Sequence, residues 1–146
     1  KNGLLNISEI VKNGQHMIQE FNIIAPDGKI PVGSLSGGNM QKVVVARELS
    51  SSPQLLIAAQ PTRGVDIGAI EFIHQELVNQ RTNGLAILLI SADLQEVMKL
   101  SDRIMVMYDG EIVGIFPNDE TLTEERLGYY MLGAERQTAE ELEQFA

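Results

Sequence analysis

Ser34-Leu35-Ser36-Gly37-Gly38-Asn39-Met40-Gln41-Lys42 runs straight into Val43-Val44-Val45-Ala46, and this stretch organises the reading of the whole chain. A serine and two glycines stand directly before an apolar run. Glycines let a backbone approach a ligand without side-chain obstruction. The run that follows predicts a helix, whose first turn carries amide groups without intrahelical acceptors and the positive end of the helix dipole. Ser36 is placed both to cap that helix and to offer a hydroxyl. Such a helix start can receive a phosphate. By themselves the same residues more often make a plain cap and turn, so the flanking sequence has to decide.

Upstream, Asn6 with Glu9 reads as a capping box, and Ile7, Ile10, Val11, Met17, Ile18 and Phe21 fall near helical spacing. One face of this helix is apolar and is expected to pack on something. His16 beside the stripe reads as a surface or partly buried histidine. Residues 22–33, with Pro26, Asp27-Gly28 and Pro31, read as a loop. Downstream, Ser50-Ser51-Ser52-Pro53 ends the second helix. Leu55-Leu56-Ile57-Ala58-Ala59 and Leu85-Ala86-Ile87-Leu88-Leu89-Ile90 are unbroken apolar runs, expected as strands buried on both faces. Between them a helix starts at Asp66, carries Ile70, Ile73, Leu77 and Val78 on one side, and stops at Gly84. His74 on this helix reads as solvated.

Asp93 with Glu96 opens a short helix, Ile104 to Tyr108 is a further strand, and Asp109-Gly110 turns it into a hairpin with Glu111 to Ile115. Thr123 to Leu132 reads as a helix closed by Gly133, followed by an acidic tail that is a frayed helix or disordered. The methionines read as core filler. Alternation of strand and helix predicts an α/β core with a hairpin at its edge.

A length of 146 residues and a hydrophobic fraction of 44% suit one domain with a sizeable core. The net charge of −9 argues against unspecific nucleic-acid binding and against adhesion to an anionic membrane surface. No cysteine is present, which excludes a disulfide framework and a thiolate metal site. No apolar run approaches the ~18 residues of a membrane span. Lys1-Asn2-Gly3-Leu4 lacks a signal-peptide pattern. The base expectation is a cytoplasmic chain, and the missing initiator Met suggests a piece of something longer.

Leu35-Ser36-Gly37-Gly38-Asn39 with Gln41-Lys42 resembles the signature loop of the ATP-binding cassette (ABC) ATPases. Pro61-Thr62-Arg63-Gly64-Val65-Asp66 resembles the segment after the Walker B strand of the same family, with Asp66 at the D-loop position. Both stand in the family's order. Their forms are similar to those of sugar and nucleoside importers, and Ala58-Ala59-Gln60 is similar to the second cassette of nucleoside-type subunits. The resemblance implies an α/β, P-loop NTPase-type fold that is incomplete: a mostly parallel sheet with a C-terminal β-hairpin, plus part of the helical signature subdomain. It divides the chain into residues 1–52, helical subdomain with the signature; 53–133, C-terminal part of the ATPase core; and 134–146, the acidic tail.

No G-x-x-x-x-G-K-[ST] loop is found, and only 35 residues precede Ser36. The family's phosphate loop lies N-terminal to the signature, so the chain looks like the C-terminal part of a cassette. Ala59 stands where the resemblance implies the Mg²⁺-anchoring Asp, Gln60 where it implies the catalytic Glu, and Ala92 where it implies the switch His. Alanine cannot hold a metal shell, and glutamine is no carboxylate base. No metal ligand set is read. The signature, by contrast, looks intact. The resemblance implies that Ser36, Gly37, Gly38, Asn39 and Gln41 contact ATP held by a partner cassette, with Asp66 coupling the two sites. Arg63 reads equally as a partner of a phosphate or an acidic group, or as a structural surface arginine.

The expected function is that of the ATP-binding subunit of an ABC importer, ATP and Mg²⁺ serving the complete protein and the isolated fragment being inactive. Expected partners are another cassette, of the same or a second subunit, and membrane permease subunits, with no nucleic acid. The expected place is peripheral, on the inner face of the membrane through the permease. Exposed apolar faces would invite self-association of the fragment. The other readings are a soluble cassette ATPase without a transport role and a structural dimerisation module.

Overall fold

The computed structural model describes residues 5–145, so the opening Lys1-Asn2-Gly3-Leu4 lies outside the described residues. The elements run α1 (Ile7–Glu20), a 3₁₀ turn (Val32–Ser34), α2 (Gly37–Leu49), β1 (Leu55–Ala59), α3 (Ile67–Thr82), β2 (Ala86–Ile90), α4 (Leu94–Leu100), β3 (Arg103–Tyr108), β4 (Glu111–Pro117), α5 (Glu124–Met131) and α6 (Ala139–Glu143). The fold is a mixed α/β one of the P-loop ATPase kind, with a mostly parallel sheet, a C-terminal antiparallel hairpin and a helical subdomain. β1 pairs with β2, and β3 pairs with β4 as a separate sheet. The chain forms two compact units, residues 1–88 and 89–146, and the division falls within β2.

Local chemistry accounts for the helix boundaries of the first unit. Asn6, Ser36 and Asp66 each accept an amide hydrogen bond from the third residue of the helix they open. α3 ends as a Schellman turn: Gly84 takes φ +92, its N–H donates to Arg81 O, and Leu85 N–H donates to Gln80 O. The core of this unit gathers Phe21, Ile23, Ala46 and Leu49, with Met17, Ile18, Leu56, Phe72 and Leu85 against it.

Burial on both faces of β1 and β2 is not what the structure shows. Leu55 is 56% exposed and Ile57 61%, while Leu56 and Ala58 turn inward, and Leu88 and Ile90 on β2 are exposed as well. Strand side chains alternate between faces. The α2 and α3 cluster covers one face of the pair, so every second residue stays open. The apolar run alone could not report this, because it is compatible with cover on either side. α1 likewise contains no buried residue: Ile7 is 64% exposed and Ile10 and Val11 are open, while Met17 and Ile18 reach the core from its last turns.

The two histidines part company. His16 is exposed and lies 3.2 Å from Glu20, one turn on. His74 is buried, with a relative exposure of 9%, against the expectation of a solvated residue. Position 74 follows Ile70 by four and precedes Leu77 by three, which puts it on the covered face of α3.

The second unit is built on the hairpin. Asp109 and Gly110 both take positive φ, 50° and 80°, the requirement of a type I′ turn. The register shifts between Val106 and Met107, so Val113 is the extra residue of a bulge and both Val113 and Gly114 are buried. Their core holds Ile104, Val106, Phe116, Leu122, Leu127 and Tyr130. Leu94, Val97 and Met98 close it from α4. Asn118 Nδ2 donates to the carbonyls of Met98 and Ser101, both at 2.6 Å. The methionines are not mainly core filler: Met105, Met107 and Met131 are exposed.

Beyond Gly133 the tail is ordered by its side chains. Thr138 and Glu141 form a capping box for α6. Hydrogen bonds from the Thr138 N–H and hydroxyl hold the Glu141 carboxyl below the usual carboxylate range. Gln137 N–H donates to Val113 O at 2.9 Å. The Gln137 side chain then accepts from Ile115 N–H at 2.7 Å and donates to Ile115 O at 3.1 Å, copying a neighbouring strand along β4. Gln137→Ala is expected to cost about 1–3 kcal/mol, because it strands a half-buried backbone donor. Hydrogen exchange at the Ile115 amide checks this, and unchanged protection there would refute the clamp.

Candidate signature site

The first turn of α2 and the loop 60–66 meet within the first unit. Ser36 is extended and caps α2: its Oγ accepts from Asn39 N–H at 3.4 Å and from Asn39 Nδ2 at 2.9 Å. Ser36 and Gly37 are exposed, Asn39 and Gln41 half-buried. The amides of Gly37 and Gly38 fall in the first turn, where the helix itself supplies no acceptor. An exposed hydroxyl beside such amides, at the positive end of a helix, suits an oxyanion.

Gly38 differs from its neighbour. It is buried, and a Cβ there would stand 2.7 Å from Asp66 Oδ2 and 2.8 Å from Ala69 Cβ. Here the start of α2 packs directly on the start of α3. Gly37 has room instead: a Cβ would lie 3.6 Å from Gly64 O. The pair thus divides its work, one glycine open to solvent and one packed. Asp66 is exposed, and its Oδ1 accepts from Ala69 N–H at 2.9 Å, so the same carboxylate that caps α3 lies against the start of α2.

The loop leaving β1 turns sharply. Gln60 takes φ +51 and Gly64 φ +74, Pro61 is buried, and Arg63 N–H donates to Gln60 O at 3.2 Å. A positive φ in a glutamine is sparsely populated and holds the residue where the strand becomes a turn. Ala59 is exposed, Gln60 half-buried and Arg63 exposed. Ala92, in the second unit, is also exposed. It lies between Ser91, whose hydroxyl accepts Asp93 N–H at 3.0 Å, and Asp93, which caps α4.

Two features escaped the sequence reading. Lys42 is buried, its Nζ donating to Asn22 O at 2.9 Å and lying 4.5 Å from the centre of the Phe72 ring. Asn39 Oδ1 accepts from Ile24 N–H at 2.8 Å. Two side chains one helical turn apart on α2 therefore grip the loop after α1. Their spacing of three residues was a visible signal, but nothing local indicated what they would hold. Among the described residues no group of three or more His, Asp or Glu side chains could hold a metal ion. No helix among them is long and apolar enough to cross a membrane.

No family model matches the chain. It is 46% identical over 137 residues to the guanosine import ATP-binding protein NupO of Bacillus subtilis (strain 168), covering 94% of this chain and 27% of that protein. It is 48% identical over 118 residues to the ribose import ATP-binding protein RbsA of Oceanobacillus iheyensis, covering 80% of this chain and 23% of the relative. Its structure superposes on that of cbiO1 from Clostridium perfringens, part of the ABC transporter complex cbiONQ, with a TM-score of 0.65 and 26% identity over 91% of this chain and 54% of the other. Over most of its own length the chain is similar to the ATP-binding proteins of sugar and nucleoside import. It spans about a quarter of the length of the two import proteins.

Proposed function

We propose that the chain is the C-terminal part of the second cassette of an import ATP-binding subunit, of the nucleoside or simple-sugar class. In this reading it donates its signature to ATP bound by a partner cassette, and its own catalytic positions are degenerate. The observation that carries it is the contrast between two ends of one unit. Ser36 and Gly37 stand exposed at an intact helix start, while Ala59 and Gln60 stand at the carboxylate positions. A methyl group at 59 gives Mg²⁺ nothing to bind, so these residues do not fit the ion.

Preorganised donors at a helix start act on charge that develops on a terminal phosphate. Ser36 and the amides of Gly37 and Gly38 supply such donors, Gly38 by its backbone alone. Asp66, touching both helix starts, is placed to relay a shift of the loop 60–66 to α2. Gln41, half-buried one turn further along α2, belongs to the same proposed contact with ATP. The partner is the other cassette of the same or a second subunit. The exposed apolar face of α1, with Ile7, Ile10 and Val11, suits contact with a permease and so a peripheral position on the inner face of the membrane. The relatives' roles in guanosine and ribose import support the transport reading over a soluble ATPase without it.

The chain on its own is expected neither to hydrolyse ATP nor to bind it at ordinary concentrations. Titration calorimetry with ATP and Mg²⁺ tests this. Measurable heats of saturable binding would show that this chain holds a nucleotide site of its own and would overturn the assignment.

A further inference from the structure

We propose that Asn39 is a positioning residue that makes the Ser36 hydroxyl an obligate hydrogen-bond donor. The inference rests on the reading of Ser36 as a phosphate contact. It differs from the expectation that Asn39 itself touches nucleotide.

Both ends of the Asn39 amide are committed inside the chain. Its Oδ1 accepts from Ile24 N–H at 2.8 Å. A backbone N–H can only donate, so the amide oxygen has to face Ile24, and this fixes the orientation of the group. The NH₂ then faces the cap, where Nδ2 lies 2.9 Å from Ser36 Oγ. That group can only donate. The Asn39 backbone N–H approaches the same oxygen at 3.4 Å. A hydroxyl has two acceptor lone pairs and one hydrogen. Here both lone pairs face donors of Asn39, and the hydrogen is the valence that remains. With both donors on the Asn39 side, that hydrogen is directed away from Asn39, and Ser36 is exposed. A hydroxyl so held can give a hydrogen bond and can hardly accept one. It favours a phosphate oxygen and disfavours an incoming N–H. Lys42 holds Asn22 O, two residues before Ile24, so the far end of the relay is itself anchored.

Asn39→Asp tests the relay with almost no change in shape. One carboxylate oxygen still accepts from Ile24 N–H. The other replaces the NH₂ and draws the Ser36 hydrogen toward itself, which reverses the hydroxyl. In the full-length import subunit this variant is expected to lose about as much ATP turnover as Ser36→Ala, on the order of 10²-fold. Asn39→Ala removes the relay without adding a charge, so the double variant Ser36→Ala with Asn39→Ala is expected to be no slower than Ser36→Ala alone, since both changes remove one function. If Asn39→Ala lowers turnover by as large a factor in the Ser36→Ala background as in the parent, Asn39 acts on nucleotide directly and the proposal fails. If Asn39→Asp leaves turnover intact while Ser36→Ala does not, it fails as well. Should Ser36→Ala itself leave turnover unchanged, the phosphate reading of Ser36 is what has fallen. Hydrogen exchange at the Ile24 amide reads the geometry separately: protection is expected in the parent and in Asn39→Asp, and its loss in Asn39→Ala. Equal exchange in all three overturns the relay whatever the turnover.

Discussion

Ser36→Arg in the full-length subunit is expected to lower ATP turnover by about 10²–10³-fold, the effect of losing one preorganised donor at a developing negative charge. The substitution replaces a short, fixed hydroxyl at the start of α2 with a long side chain that fills the space in front of Gly37. The cap is lost too, because an arginine has no acceptor for Asn39 N–H. Gly37→Asp acts by another route. Its site has room, with the nearest atom 3.6 Å from a Cβ, so the fold tolerates it. The carboxylate then repels a phosphate at the same opening. Nucleotide binding is expected to persist in both variants, because the reading puts the grip on ATP in the partner's pocket. Steady-state turnover with a parallel binding measurement checks both halves. Normal turnover in either variant would remove the signature from the mechanism.

Gly133→Val is expected to destabilise the chain by about 2–5 kcal/mol, combining a left-handed backbone that a β-branched residue resists with overpacking. Gly133 takes φ +70 and closes α5: its N–H donates to Tyr130 O and Ala134 N–H donates to Tyr129 O. A Cβ there would stand 2.5 Å from Tyr108 Cε1. The Tyr108 ring also carries the Arg136 guanidinium at 5.7 Å, so moving it disturbs the tail. Gly84→Val is the control. It has a positive φ of +92 but nothing within 4 Å of its Cβ, so it keeps the backbone cost and omits the clash. Thermal unfolding followed by circular dichroism compares the two. Equal losses would show that the Tyr108 contact contributes nothing.

Much of the chain was legible because its signals are local. Asn6, Ser36, Asp66, Asp93 and Thr123 each cap the helix expected of them, and Gly84 and Gly133 close the helices before them. A cap is a bond between residues two or three apart, so the sequence contains both partners. Asp109-Gly110 set the hairpin for the same reason. The signature and the PTRGVD segment were legible as motifs, and the structure brings their helix starts together at Gly38 and Asp66. The sequence was silent about how close that approach would be, since the partners are 28 residues apart.

By itself, then, the sequence determined most of the elements, the caps that open and close their helices, and the two loops that resemble those of the cassette ATPases. Only the tertiary structure decided which face of β1 and β2 is covered, that His74 is buried, that Gln137 mimics a strand beside β4, and that Asn39 reaches back to Ile24. Each of these depends on what a distant segment presents at one place. Periodicity fixes where a side chain points relative to its own element, whereas its burial and its partner depend on what the rest of the chain packs against it.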